Sequence, residues 1–222
     1  MEKPGVSRWQ AIPNPEPKRT EIVPFGTLAE VEAVSAELLQ HYRAIPLVGA
    51  LSGLRPSELL GLERRDVDRQ AKVLHVRRVL IGGQLRPYGK TTGALRVVPL
   101  AERALEALDA HPARIDTPLL FSTQNGTPID LHRWRSRQWT PALRAAGLPH
   151  RGPYAMRHTF ASWAIAAGVP TFEIAATMGT SLEQLSKTYA HLLPDSADRA
   201  RVARRPRGGV TLRQHRHRIV AC

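Results

Sequence analysis

Signals for the start and the end of helices recur along most of this chain, and they limit it to a mainly helical fold. Thr27 and Glu30 have the spacing of a capping box, and Pro56 suits a first helical position. Gly147 and Gly168 suit positions directly after a helix. The signals predict helices that begin near Thr27 (with an apolar stripe as far as Tyr42), Pro56, Ala101, Asp130, Pro153, Thr171 and Ser181.

Residues 72–99 interrupt the helical pattern. The strings KVLHVRRV and ALRVVPL are β-rich, and the IGG between them has the composition of a turn. We expect a small antiparallel sheet of about three strands here, with Lys90 in a glycine-flanked turn, YGKTTG. The predicted fold class is therefore α+β, mainly α: a helical domain with a small antiparallel β-sheet.

The two ends of the chain lack the pattern of a folded domain. Residues 1–26 contain five prolines, which disfavour regular helix or strand, so we expect a Pro-rich linker or arm there. Residues 195–222 hold eight arginines against two aspartates, a net charge of +6, without apolar periodicity. We expect a basic, disordered tail there and an ordered domain over residues 27–194.

The charge balance of the chain points to an anionic partner. Lys and Arg number 32 against 19 Asp and Glu, so the net charge is +13, which is atypical of an acidic cytosolic enzyme. The one cysteine, Cys222, excludes a disulfide framework and a multi-cysteine metal site. We find neither a run of ~20 apolar residues nor the apolar centre of a signal peptide, so we expect an intracellular protein that faces nucleic acid.

Four separate motifs carry residue types suited to phosphate chemistry. Arg55 lies three residues before Glu58 in SGLRPSELLGL, and Lys90 lies in GKTTGALRVVPL. Arg157 lies in PYAMRHTFASWAIAAGVP, and Tyr189 in MGTSLEQLSKTYAHLLPD. An arginine offers a planar fork of donors that stays charged, so two arginines can clamp the charge that gathers on a phosphodiester under attack.

Together these motifs, in their order and spacing, resemble those of the tyrosine site-specific recombinases, the phage-integrase family, over about residues 20–194. The resemblance implies a catalytic domain that breaks and rejoins DNA without ATP, cofactor or catalytic metal. It implies that Arg55 and Arg157 bind the scissile phosphate and that Glu58 orients the site. It further implies that Lys90 protonates the departing 5′-oxygen and that Tyr189 forms a 3′-phosphotyrosyl link to DNA.

The same resemblance implies the partners. They are double-stranded DNA and further copies of the chain, assembled as a recombination tetramer, with no membrane. The expected location is the cytoplasm, in association with the nucleoid. Family members usually carry an N-terminal helical domain, but only 26 residues precede Thr27. We therefore expect this domain to be absent, and a truncated gene, a misplaced start and a minimal recombinase all remain open.

Two positions depart from the family pattern. Tyr154 stands where the family usually has His or Lys, and Thr180 stands where it usually has His or Trp. Both carry a hydroxyl, so both are candidate supporting hydrogen-bonding residues. We interpret His158 as a structural histidine bonded to the backbone. Three tryptophans are expected in the core: Trp134, Trp139 and Trp163.

Two alternative functions remain. The first is an integrase remnant that only binds DNA, which the short N-terminal segment and the substitutions at Tyr154 and Thr180 favour. The second is a helix-turn-helix regulator, based on AAGVPTFEIAATMGTSLEQLSKTY. The regulator does not explain Arg55 or the lysine-bearing turn, so the recombinase is the preferred interpretation.

Deleting residues 195–222 should make DNA binding less dependent on salt. Binding through phosphates weakens with salt because counterions are released, and each lost contact reduces the log–log slope by about 0.9. The measurement is the Kd for a random-sequence duplex across a salt titration, for the full chain and the deletion. A control with the tail arginines changed to lysine should keep the original slope. A slope unaffected by the deletion would show that the tail does not contact DNA.

Overall fold

The computed structural model of the chain describes residues 23–87 and 95–193, and the expected α+β, mainly helical architecture is confirmed there. A π-helical turn, Arg135–Trp139, joins α5 to α6, and short 3-10 turns lie at Gln40–Tyr42, Arg64–Asp66 and Ala190–Leu192. The helices are α1 Leu28–Glu37, α2 Ala44–Ser52, α3 Pro56–Leu59, α4 Glu102–Asp109, α5 Leu131–Trp134, α6 Thr140–Ala145, α7 Ala155–Ala166, α8 Thr171–Met178 and α9 Leu182–Tyr189.

The strands form two small antiparallel units. β1 Val67–Asp68, β2 Val73–Val76 and β5 Arg96–Pro99 make a three-stranded sheet in the order β1-β2-β5. β3 Arg78–Ile81 and β4 Gln84–Pro87 make a separate hairpin. In the larger sheet Leu74 lies opposite Val98, and both side chains are buried against the helices.

The division into two units differs from the single sheet expected over residues 72–99. Arg77 and Arg78 are adjacent, yet both guanidinium groups bind the fully buried carboxylate of Asp66. Neighbouring side chains of a regular strand point to opposite faces. Because both arginines reach Asp66, the segment KVLHVRRV is not one continuous strand, and it divides into β2 and β3.

The first helix is shorter than its apolar stripe suggested. It ends at Glu37, and the chain turns before α2 begins at Ala44. The Ser35 hydroxyl donates a hydrogen bond to the carbonyl of Arg43, and the Arg43 guanidinium donates one to the carbonyl of Leu38 at 3.0 Å. These contacts hold the turn, so the prediction that the helical stripe continues to Tyr42 was wrong.

Helix α2 was not predicted from the sequence. It packs against α1, α4 and α7, and all but one of its residues are buried. A helix buried on every side has no amphipathic period to detect. Pro46 also disfavours a helix in principle, but it lies in the first turn, where its missing N–H has no intrahelical partner.

The three C-terminal helices begin and end close to the predicted positions. Ser181 caps α9 by accepting a hydrogen bond from the backbone N–H of Gln184 at 3.1 Å. A small apolar cluster joins α7, α8 and α9, and in α9 itself only Leu185 and Tyr189 are buried. Among the helices of the described ranges, none has the length and apolar composition needed to cross a membrane.

Phe25 packs onto the domain, although the sequence analysis placed it in the arm. Its side chain is 1% exposed and meets the ring of Trp139 edge-on. Its backbone N–H donates to the Thr159 hydroxyl at 2.8 Å, and the Arg151 guanidinium lies 4.4 Å from its ring centroid. The rest of the expected arm, residues 1–22, and the expected tail lie outside the described residues.

Replacing Gly53 with alanine should destabilise the fold more than the same change at Gly147. Both glycines have a left-handed φ, of 67° and 69°, which costs alanine about 1–2 kcal/mol. At Gly53 an added Cβ would also lie 2.5 Å from the Phe160 ring, whereas at Gly147 it would meet nothing within 4 Å.

The measurement is the free energy of unfolding in urea. We expect Gly53→Ala to lose about 1–3 kcal/mol more than Gly147→Ala, because an overpacked contact adds to the backbone penalty. Equal losses would contradict the proposed clash with Phe160.

Candidate active site

Arg55 and Glu58 meet at the start of α3. Pro56 is the first residue of this helix, and the Glu58 carboxylate reaches back to accept the backbone N–H of Arg55 at 2.8 Å. The same carboxylate accepts Nη1 of Arg55 at 2.8 Å, while Nη2 donates to the carbonyl of Gly179 at 2.8 Å. Glu58 is fully buried and the Arg55 side chain is one-third exposed, so the guanidinium lies at the edge of the protein.

Arg96 also belongs to this site, and the sequence analysis missed it. As the first residue of β5 it grips Glu58 with two nitrogens, Nη2 to Oε2 at 2.6 Å and Nη1 to Oε1 at 3.2 Å. Its Nε donates to the carbonyl of Thr177 at 2.8 Å. The sequence signal was an arginine in the β-rich string ALRVVPL, but its partner is 38 residues away and only the fold brings the two together.

Arg157 is buried in the first turn of α7. Its Nη1 donates to the carbonyls of Gly53 and Met178, both at 2.7 Å. Burial lowers the pKa of Arg157 to about 10, an effect that the nearby Arg55 charge reinforces, so the group stays charged at neutral pH. Its Nε and Nη2 find no hydrogen-bond acceptor among residues 23–87 and 95–193.

The three arginines converge on the end of α8. The carbonyls of residues 177–179 accept one arginine each, in the order Arg96, Arg157 and Arg55. The last carbonyls of a helix lack intrahelical partners and carry its negative dipole end, so they attract cations. Gly179 permits the approach, because an added Cβ there would lie 2.7 Å from Nη1 of Arg96.

Among residues 23–87 and 95–193, this arrangement holds more positive than negative charge. In the described part of the chain, the three guanidinium groups meet one carboxylate, that of Glu58, and otherwise bind neutral carbonyls. Neutral acceptors satisfy the donors without cancelling the charge. The cluster is therefore suited to hold an anion such as a phosphodiester.

Tyr189 lies beside this cluster, at the end of α9. Its side chain is 6% exposed, and its hydroxyl is 2.6 Å from Nδ1 of His158. Burial raises the pKa of Tyr189 to about 12, against the opposing charge of Arg157. Burial lowers the pKa of His158 to about 4, and the Arg157 charge lowers it further.

The interpretation of His158 as a histidine bonded to the backbone was wrong. Its partner, the Tyr189 hydroxyl, is 31 residues away on another helix. Only the packing of α9 against α7 brings the two rings together, with centroids 5.6 Å apart. Nothing local in the sequence marks this pairing.

The remaining candidates take part less directly. The Tyr154 side chain is half exposed at the start of α7, and Thr180 is half-buried directly after α8. Neither hydroxyl has a hydrogen-bond partner among the described residues. Lys90 lies outside the described residues, so its position stays a prediction.

Trp134 and Trp139 lie in the core as expected, whereas Trp163 is only half-buried.

No group of at least three His, Cys, Asp or Glu side chains that could hold a metal ion is found over residues 23–87 and 95–193.

Comparison with known proteins identifies the family. The model of the phage integrase family matches residues 28–195. The chain belongs to the phage integrase family. The match also includes the segment that suggested a helix-turn-helix regulator, so that segment is part of the integrase domain. The resemblance drawn from the motifs is thereby confirmed.

The curated relatives of the chain include tyrosine recombinases. The chain is 28% identical to the XerC-like tyrosine recombinase of Caldanaerobacter subterraneus subsp. tengcongensis, over 86% of this chain and 56% of the relative. It is 30% identical to tyrosine recombinase XerC of Pelobacter propionicus, over 86% of this chain and 63% of the relative. The chain thus spans less than two-thirds of the length of either protein.

Among solved structures, the fold is similar to that of the Tn1549 transposon integrase, which was determined in complex with circular intermediate DNA. The TM-score is 0.69 and the identity is 25%, over 84% of this chain and 68% of the integrase chain. This likeness confirms the predicted fold.

Replacing Glu58 with glutamine should destabilise the protein. The change keeps the shape but removes the charge that Arg55 and Arg96 share, and breaking a buried ion pair in this way costs about 3 kcal/mol. Glu102→Gln is the matched control, because Glu102 pairs with Lys72 on the surface and such pairs contribute less than about 1 kcal/mol. Unfolding in urea measures both changes, and equal losses would show that the Glu58 cluster is not a stabilising element.

Proposed function

We propose that this chain cleaves and rejoins DNA strands through a covalent 3′-phosphotyrosyl link at Tyr189, in site-specific recombination or integration. The observation that carries this proposal is the cluster of Arg55, Arg96 and Arg157 beside a buried tyrosine. Arg157 and His158 are neighbours on α7, and His158 contacts the Tyr189 hydroxyl. A phosphate held by Arg157 is therefore close to the phenolic oxygen.

In this proposal Arg55 and Arg157 bind the scissile phosphate. Negative charge builds up on the non-bridging oxygens during attack, and fixed cationic donors stabilise it without reorganisation. The Nε and Nη2 donors of Arg157, which have no acceptor among the described residues, suit this contact. Glu58 and Arg96 position Arg55, because the Glu58 carboxylate binds both guanidinium groups.

Tyr189 is the proposed nucleophile. Attack of its oxygen on phosphorus joins the 3′-phosphate to the protein and releases the 5′-oxygen. The new bond is itself a phosphodiester, so the reverse attack by a 5′-hydroxyl rejoins a strand without an external energy source. We propose that Lys90 protonates the leaving oxygen, as the family resemblance implies.

The proposed partners are duplex DNA and further copies of the chain. The net charge of +13 supports the first, as does the DNA bound in the Tn1549 integrase structure. Exchange between two duplexes cuts two strands in each, so it requires four tyrosines and hence four protomers on the DNA. The proposed location is the cytoplasm at the nucleoid, where such a substrate lies.

Replacing Tyr189 with phenylalanine should abolish covalent attachment to DNA while the domain stays folded. The substitution removes one oxygen and keeps the ring that packs in the α7–α9 cluster. The substrate is a pool of nicked duplexes with a randomised core, and adducts are separated on a denaturing gel and sequenced. The nick lets the cleaved fragment leave, so the adduct accumulates.

Tyr42→Phe is the matched control, because Tyr42 is a buried core tyrosine that belongs to another cluster. This variant should form adducts as the wild type does. Adducts that persist in Tyr189→Phe would remove Tyr189 from the role of nucleophile. A wild-type chain that binds the pool without any adduct would show a DNA-binding protein and not a recombinase.

A further inference from the structure

The contact between His158 and Tyr189 has no role in the mechanism given above. Nδ1 of His158 lies 2.6 Å from the phenolic oxygen, which is hydrogen-bond distance for a proton transfer. We propose that His158 takes the phenolic proton of Tyr189 as the tyrosine oxygen attacks phosphorus. This inference rests on the proposed function, since it assigns the proton acceptor for the nucleophile named there.

The packing of the helices fixes this geometry before DNA binds. Tyr189 is buried in the cluster that joins α7, α8 and α9, and His158 is on the side of α7 that faces it. Proton transfer to Nδ1 requires the tautomer in which Nε2 carries the hydrogen and Nδ1 keeps its lone pair. In that tautomer the Tyr189 hydroxyl donates to the ring.

At neutral pH the free protein is in the starting state for this transfer, although both pKa shifts oppose the transfer itself. The high pKa of Tyr189 keeps its proton in place, and the low pKa of His158 keeps the imidazole neutral. The charged group near His158 is Arg157, and the titratable groups that line the same cavity are Tyr189 and His191. Burial is the larger cause of the low pKa of His158 and the Arg157 charge is the smaller one. A phosphate on Arg157 offsets the second cause, which raises the basicity of the imidazole as the tyrosine attacks.

The bonds and protons balance over one cycle. As the bond from the tyrosine oxygen to phosphorus forms, the proton of Tyr189 moves to Nδ1 of His158. The bond from phosphorus to the 5′-oxygen breaks, and that oxygen keeps the electron pair and receives a proton from Lys90. In rejoining, the 5′-hydroxyl attacks phosphorus and gives its proton back to Lys90. The tyrosine oxygen leaves and recovers its proton from His158, since the reverse path uses the same groups.

The other candidate groups are less suited to this task. Tyr154 stands where the family usually has His or Lys, and Thr180 stands where it usually has His or Trp. Both offer a hydroxyl in place of a side-chain nitrogen. Neither hydroxyl has a hydrogen-bond partner in the described ranges, whereas His158 contacts the reacting atom. His158 and Tyr189 also line a cavity of about 320 Å³, through which the pair can exchange protons with water.

The kinetic test compares His158→Asn with the wild-type full chain, on a nicked duplex recovered from the adduct pool. The asparagine oxygen can accept the hydrogen bond from Tyr189 but cannot take its proton. We expect single-turnover adduct formation to fall about 10²- to 10⁴-fold, the usual contribution of a positioned base. DNA affinity and the Tm should stay unchanged.

A second substrate separates this role from that of the leaving-group acid. Sulfur in place of the scissile 5′-oxygen leaves as a thiolate without needing a proton. The sulfur substrate should therefore restore a Lys90→Ala variant and should not restore His158→Asn. Restoration of both variants would overturn the proposal, as would adduct formation by His158→Asn at the wild-type rate.

Nitrogen-15 NMR of the free full chain tests the direction of the hydrogen bond independently of cleavage. We expect His158 to carry its hydrogen on Nε2, with Nδ1 unprotonated. A hydrogen on Nδ1 would make His158 the donor and overturn the inference while leaving Tyr189 as nucleophile. A wild-type chain that forms no adduct overturns the proposed function, and this inference with it.

Discussion

The buried carboxylate of Glu58 is the contact on which the site depends. A carboxylate without solvent is costly unless donors surround it, and here its donors include the backbone N–H of Arg55 and two guanidinium groups. These bonds tie the start of α3 to β5, and the arginines in turn bind the end of α8. The Glu58 carboxylate and its two arginines thus fix three segments that are distant in sequence relative to one another.

The same network explains how a stable domain keeps charge available for a ligand. If each arginine were paired with its own carboxylate, a phosphate would have to displace an internal ion pair. The carbonyls at the end of α8 instead satisfy the guanidinium donors at no cost in net charge. The contacts of the arginines with Glu58 and the carbonyls stabilise the fold, and the positive charge that these contacts leave is suited to bind an anion.

Local signals made much of the fold predictable. Helix caps and terminal glycines placed α3 and α7–α9, and the motifs gave Arg55, Arg157 and Tyr189. Helix α2 was not predictable because burial on all sides removes its periodicity. Arg96 and His158 were missed or misread because their partners are 38 and 31 residues away, and such pairings exist only in the folded chain.

Tyr189, the proposed nucleophile, also helps to hold its own helix, α9, on the domain. Leu185 and Tyr189 are the buried side chains of α9, so any movement of Tyr189 toward a phosphate removes apolar contacts that hold the helix on the domain. Under the proposed function, docking of α9 and engagement of DNA would therefore be linked equilibria that share one side chain. A protein surface that covers the exposed face of α9 would shift the fraction of molecules in which Tyr189 is docked, without contacting the three arginines.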